Sequence, residues 1–165
     1  MTLEPVIRFL DRYDLPWVLL ALMTWLAILL TCSRKEFWRG LPVGLWTMVI
    51  GGALEQFFIH HKFWAEDFIM IKIGELDLFL IIGPFFTIGV LLVRFLPESR
   101  WGKFLAVLAW SGFATLIEMG AIKFGFLDYH PVKWGMEFSI ATYYLALMSA
   151  LGFYFSLYDR PKAYL

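Results

Sequence analysis

Glu55 and Glu118 each stand in the middle of a long apolar run, and Glu75, Asp77 and Glu137 lie in or at the edge of two more. With helices opening near residues 41 and 104, both central carboxyls fall fourteen residues in, roughly 21 Å along the axis. A helix read from the opposite side, starting near Phe68, puts Glu75 about 10 Å deep and Asp77 slightly deeper. Glu137 falls in the first turns of a further helix that starts from that side. Four helices therefore bring carboxyls to one half of a bilayer. An ionised carboxylate there costs about 3 kcal/mol on insertion scales, so such groups face a bundle interior, find a cation or hold a proton. Lys72, Lys123, His60, His61 and His130 lie at the same level as candidate partners. An acid that keeps its proton near neutral pH is a competent proton donor. Glu55 and Glu118 are thus the candidate catalytic pair, with a structural interhelical hydrogen bond as the plainer reading. Glu75 and Asp77 read equally well as an acid pair neutralised by Lys72.

The residues around these acids suit a cavity. Steps of three, four and eleven back from Glu55 reach Gly52, Gly51 and Gly44, and comparable steps back from Glu118 reach Thr115, Ala114 and Ser111. Small residues either let helices touch or leave room for a ligand, and spacing leaves both open. Phe57, Phe58, Phe63, Trp64, Phe124, Phe126, Tyr129, Trp134, Tyr143 and Tyr144 crowd the same level. They read as an interfacial aromatic belt or as a lining that stabilises a carbocation or a cationic ligand. The candidate substrate-binding residues are Glu75, Asp77, Tyr129, Trp134, Glu137 and Tyr144. His60 and His61, followed by Lys62, read as a solvated helix end rather than as metal ligands with Asp128 and His130. No two histidines lie deep in facing helices as a haem needs, and a single cysteine, Cys32, excludes a multi-cysteine metal site. Neither a metal nor a cofactor is expected.

The elements that hold these residues follow from composition. Of 165 residues, 61 % are hydrophobic and only 17 % charged, where a soluble domain carries about 25 % charge. Lipid must solvate the rest. A net charge of zero gives no field for nucleic acid, so the expected partners are membrane lipid, a lipophilic small molecule and, in a homo-oligomer, further copies of the chain. A crossing needs roughly 20 apolar residues. Five segments qualify, about 15–32, 41–60, 68–95, 104–126 and 136–157, predicting a single all-α domain over 1–165, a polytopic membrane bundle. Gly83-Pro84 should kink the third helix, because proline lacks an N–H and clashes with the preceding turn. Residues 3–12 read as a short interfacial helix. Their mixed charge is unlike a signal-peptide start, so the first span is retained. Loop Lys and Arg divide eight to four. That division predicts a multi-pass cell-membrane protein with its N-terminus outside and its C-terminus cytoplasmic.

Leu76-Asp77 to Gly83-Pro84, then Leu116-Ile117-Glu118, then Tyr129 to Trp134 with Ser139, resemble a family of small, functionally uncharacterised integral membrane proteins from spore-forming Bacillota. That resemblance covers about the last ninety residues and implies a fold rather than an activity. A looser resemblance is to integral membrane terpene cyclases, which protonate a polyene or epoxide with acids from different helices; only Glu55 and Glu118 would carry that role here. The first expectation is therefore an acid–base enzyme of cyclase or isomerase type acting on a lipophilic, isoprenoid-like substrate in the outer half of the bilayer. A non-enzymatic binding or transport subunit and an envelope assembly partner are the alternatives.

Overall fold

The computed structural model describes residues 13–66, 69–130 and 132–158, so the expected interfacial helix over 3–12 lies outside the described residues. Five helices run α1 Pro16–Thr31, α2 Arg34–His60, α3 Leu78–Arg94, α4 Arg100–Lys123 and α5 Met136–Tyr158. Two short antiparallel ribbons interrupt them: β1 (Trp64–Glu66) pairs with β4 (Leu127–Tyr129), and β2 (Lys72–Ile73) with β3 (Leu76–Asp77). The described chain is therefore mostly helical. By length and apolarity, α2, α4 and α5 are able to cross a membrane, while α1 and α3 are apolar but shorter. Five full-length spans are not what the helix lengths support.

The ends of the helices explain the difference. α2 starts at Arg34, seven residues before the expected 41, because Ser33 and Glu36 form a capping box. Glu36 Oε2 accepts from the Ser33 N–H at 2.7 Å, and Ser33 Oγ accepts from the Glu36 N–H at 3.4 Å. These reciprocal bonds satisfy N–H groups that a helix start leaves orphaned. α3 begins at Leu78 rather than near 68, since residues 72–77 fold into a hairpin with Lys72 opposite Asp77 and Ile73 opposite Leu76. Gly74 turns that hairpin at φ +67°, a conformation glycine adopts without a Cβ penalty. Asp77 then caps α3, its carboxylate accepting from the Phe79 N–H at 2.7 Å and the Met70 N–H at 2.5 Å. The helix that remains is too short for a straight crossing of about 30 Å at 1.5 Å per residue.

α3 breaks where the proline predicts. Gly83 leaves helical geometry (φ −88°, ψ −107°) within a wide turn over Ile81–Phe85, and the helix then resumes to Arg94. Trp25 of α1 donates its indole N–H to the Ile82 carbonyl at this break, at 2.9 Å. α1 also closes on Gly83 itself, where a Cβ would fall 2.6 Å from that of Ala21. Beyond the break, α3 lies tightly on α2. A Cβ at Gly44 would sit 2.9 Å from the Phe86 carbonyl oxygen, and one at Gly89 2.7 Å from that of Val43. α5 completes the core, with Leu147, Ala150 and Leu151 packed against Val43, Leu92 and Val107.

At one end Arg94 and Tyr158 tie helices together. Arg94 Nε donates to the Thr31 carbonyl at 2.9 Å, Arg94 Nη1 lies 3.2 Å from Glu36 Oε1, and Tyr158 donates to the Arg39 carbonyl at 3.0 Å. The outward faces are apolar. On α1, Leu29 and Leu30 are 74 % and 76 % exposed, and Leu22, Met23 and Leu26 extend the stripe. A continuous apolar face of this kind is a surface for lipid or a partner, not for water.

Candidate functional site

Between the five helices lies an apolar cavity of about 140 Å³, and both Glu55 and Glu118 line it. An engineered apolar cavity of about 150 Å³ takes a benzene molecule, so the space is on the scale of a small organic group. It is elongated. Thr47, Trp110 and Leu147 line its far part, and each lies eight residues from Glu55, Glu118 or Ser139 on the same helix. The apolar part therefore reaches about 12 Å beyond the carboxyls.

The ribbon of β1 and β4 spans the carboxyl end, and its register explains how both acids are held. Trp64 and Tyr129 stand directly opposite one another, and the His130 N–H extends the pairing to the Phe63 carbonyl at 2.8 Å. Trp64 donates its indole N–H to Glu55 Oε1 at 2.6 Å. Tyr129 donates its hydroxyl to Glu118 Oε1, which also accepts from Ser139 Oγ at 3.1 Å. Trp134 donates to Ser139 Oγ at 2.9 Å and locks that hydroxyl in place. One cross-strand pair thus supplies a donor to each carboxyl. Burial beside the Glu118 carboxyl pushes the Tyr129 hydroxyl well above its ordinary range, so it stays a proton-bearing donor at neutral pH.

Glu118 is only 9 % exposed, and its second oxygen, Oε2, is buried without a hydrogen-bond partner. Leaving a buried polar atom unmatched costs about 1–3 kcal/mol, so this oxygen is the unspent polar group of the cavity. Tyr143 lines the same wall, close enough for its hydroxyl to interact with both Glu118 and Glu55.

The other sequence candidates divide. Trp134 lines the cavity and Tyr129 bonds to its acid. Asp77 does not line it: fully buried, its two oxygens are spent on backbone N–H groups as the cap of α3. Glu75 sits in the β2–β3 turn, its N–H bonded to Gln56 Oε1 at 3.0 Å and its Oε1 3.9 Å from His60 Nδ1. Glu137 is exposed at the start of α5, and Tyr144 packs against the Val43–Leu147 core. Lys72 and Lys123, expected as counter-ions, are both exposed, Lys72 opposite Asp77 in the ribbon, and among the described residues neither forms an ion pair with a carboxyl.

The small residues also split. Gly44 serves close packing, Gly51 lines the cavity against Phe85, and Gly52 faces open space. Behind Glu118, Ala114 lines the cavity, while Ser111 and Thr115 bond to carbonyls of their own helix. The roles of Trp64 and Ser139 escaped the sequence reading of the site, because both depend on pairing across distant segments. Among the described residues no three His, Cys, Asp or Glu side chains gather as metal ligands. No protein-family model, no curated protein and no solved structure matches the chain.

Proposed function

We propose that this protein is a membrane-embedded acid–base enzyme of isomerase or cyclase type that binds a lipophilic substrate in the cavity. The observation that carries the reading is the placement of two carboxyls from different helices at one end of a single apolar cavity. Glu118 is the acid: Tyr129 and Ser139 fix Oε1, which leaves Oε2 to give its proton to a carbon–carbon double bond or an epoxide oxygen. Glu55, positioned by Trp64, is the base that removes a proton from a neighbouring carbon, whose C–H electrons form the new double bond. One proton enters and one leaves, so the step is redox-neutral. Phe58 and Trp134 present aromatic surfaces at that level, suited to a transient positive charge. One unit of an isoprenoid-like chain matches the volume of the cavity.

In this reading all five helices are embedded, with α1 and the broken α3 covering the three longer ones. Arg34, Lys35, Arg39, Arg94, Arg100 and Lys103 gather at the end away from the acids, against Lys62, Lys72, Lys123 and Lys133 at the acid end. The positive-inside bias then makes the first end cytoplasmic and the chain's N-terminus external. In a Cys32→Ser background, an impermeant thiol reagent applied to intact cells is expected to label a cysteine at position 133 but not one at position 100. The reverse pattern overturns the orientation.

Ligand binding is tested by native mass spectrometry. The purified protein is expected to carry a lipophilic molecule that the cavity-filling variant Ala114→Trp lacks. The molecule retained by Glu118→Gln is expected to be unconverted and to differ chromatographically from that of the unaltered protein. Identical loading of all three proteins contradicts the reading.

A further inference from the structure

The five helices close around the cavity as a ring in the order α1, α3, α2, α5, α4. Four of its seams are sealed. Ala21 of α1 closes on Gly83 and Trp25 bonds to the Ile82 carbonyl at the first, and Gly44 and Gly89 bring the backbones of α2 and α3 together at the second. Trp46 donates to Ser149 Oγ at 2.9 Å and stacks on Phe153, joining α2 to α5. Ser139 bonds to Glu118, and Leu147 and Ala150 pack with Val107, joining α5 to α4. The fifth seam, between α4 and α1, differs, because these two helices do not lie against one another along their length. Apolar clusters close its ends: Trp17 and Phe126 with Ala121 at the acid end, and the Ile28–Leu91 cluster with Trp110 at the other. Between the closures stand Leu20 and Thr24 of α1 and Phe113 and Ile117 of α4, all four lining the cavity. Leu20, Thr24 and Ile117 are half-buried, and Phe113 is 52 % exposed. The Phe113 ring therefore borders the cavity on one side and the outside on the other.

The size of the cavity gives this seam a use. A volume of about 140 Å³ holds one small organic group, so the greater part of a long lipophile must lie outside it. We propose that the α1–α4 seam is a lateral portal. The reacting end of the molecule enters from the bilayer between Leu20, Thr24, Phe113 and Ile117, and its tail stays in lipid. The surface at the mouth suits this route. Met23 and Leu116, each three residues beyond a seam residue on the same helix, are 68 % and 69 % exposed, so the tail emerges onto an apolar face rather than into water. Exposed side chains change rotamer within nanoseconds, and Phe113 swings aside without the helices having to part. The substrate class follows: a membrane-partitioned molecule with a chain longer than the cavity and its reactive group near one end, not a solute delivered from water. The proposal rests on the reading that the cavity binds a lipophilic molecule, but not on that molecule being turned over or on the charge of either acid.

Photolabelling tests the route. The protein is reconstituted in phosphatidylcholine vesicles and given hexadecanol that carries a diazirine midway along its chain, and peptide mass spectrometry locates the labels after irradiation. Labels are expected to concentrate on Met23, Phe113 and Leu116 and to disappear from them in Ala114→Trp, which fills the cavity. Labels left by probe in the surrounding lipid, on outward residues such as Leu29, Leu30 and Leu145, are expected to persist in that variant. Gly120→Trp obstructs the seam without filling the cavity. Gly120 lies seven residues, two helical turns, from Phe113 on the same edge of α4. Nothing stands within 4 Å of its Cβ position, so the indole enters open space beside the seam and the variant is expected to melt as the unaltered protein does. It is expected to slow labelling of the seam about tenfold, while Gly152→Trp on α5, equally unobstructed, leaves the rate unchanged. Equal rates in these two variants, or labels at another seam that Ala114→Trp removes, overturn the portal and leave lipophile binding standing. Seam labelling that Ala114→Trp does not reduce overturns both.

Discussion

Glu118→Gln is expected to fold as the unaltered protein does and to lose about two to four orders of magnitude in turnover, the range a positioned general acid contributes. The amide keeps the shape of the carboxyl. Its oxygen takes the place of Oε1 and accepts from Tyr129 and Ser139, as Oε1 does now. Its nitrogen takes the place of Oε2, which accepts no hydrogen bond of normal geometry, and the Tyr143 hydroxyl beside it can accept from an amide as well as donate to a carboxyl. The titratable proton is the one thing removed. Loss of conversion with an unchanged melting temperature is the expected pair of results, read by chromatography of the bound molecule and by thermal unfolding. Unchanged conversion would leave Glu118 a structural hydrogen-bonding residue.

Gly89→Val is expected to have the largest effect on stability. A Cβ at this position would run into Thr47 Oγ1, the Val43 carbonyl oxygen at 2.7 Å and the Gly44 Cα at 2.9 Å. Two of those three are backbone of α2 and cannot rotate away. The helices must separate, and the close α2–α3 contact built from Gly44, Phe86, Gly89 and Val90 goes with them. Overpacking of this kind costs about 1–3 kcal/mol, and more where the backbone must shift. Gly112→Val is the matched control. It lies on α4 with nothing within 4 Å of its Cβ position and is expected to change stability by less than about 0.5 kcal/mol. Thermal or denaturant unfolding in micelles measures both, and equal stability of the two variants contradicts the packing account.

The sequence disclosed the long helices and the relation of the two central acids, for a physical reason. Glu55 and Glu118 lie deep in regular helices that start from the same end, so counting residues measures depth whatever the boundary error. Both helices start earlier than their apolar runs suggest, and the acids still meet one cavity. Gly83-Pro84 was equally legible, because a glycine next to a proline that lacks an N–H is a weak point in a helix, whereas Pro42 alone leaves α2 unbroken. The start of α3 was not. Residues 68–77 are apolar enough to continue a helix, and that average hid the alternation of Ile71, Lys72 and Ile73 around Gly74. Asp77, read as a ligand-binding acid, caps the start of α3. The β1–β4 ribbon left no periodic trace, since three-residue strands are too short to show one. Its register depends on where α2 and α4 end in space, so the donors Trp64 and Tyr129 emerge only once the helices are packed.

If Glu55 and Glu118 exchange protons with carbon atoms of a lipophilic molecule held between them, solvent hydrogen must enter that molecule. Incubating the loaded protein in deuterated water, extracting the bound molecule and weighing it by mass spectrometry tests this, whatever the molecule is. Non-exchangeable deuterium is expected in the molecule from the unaltered protein and absent from that of Glu118→Gln. A bound molecule that takes up no carbon-bound deuterium, or takes up the same amount in both proteins, would contradict the account.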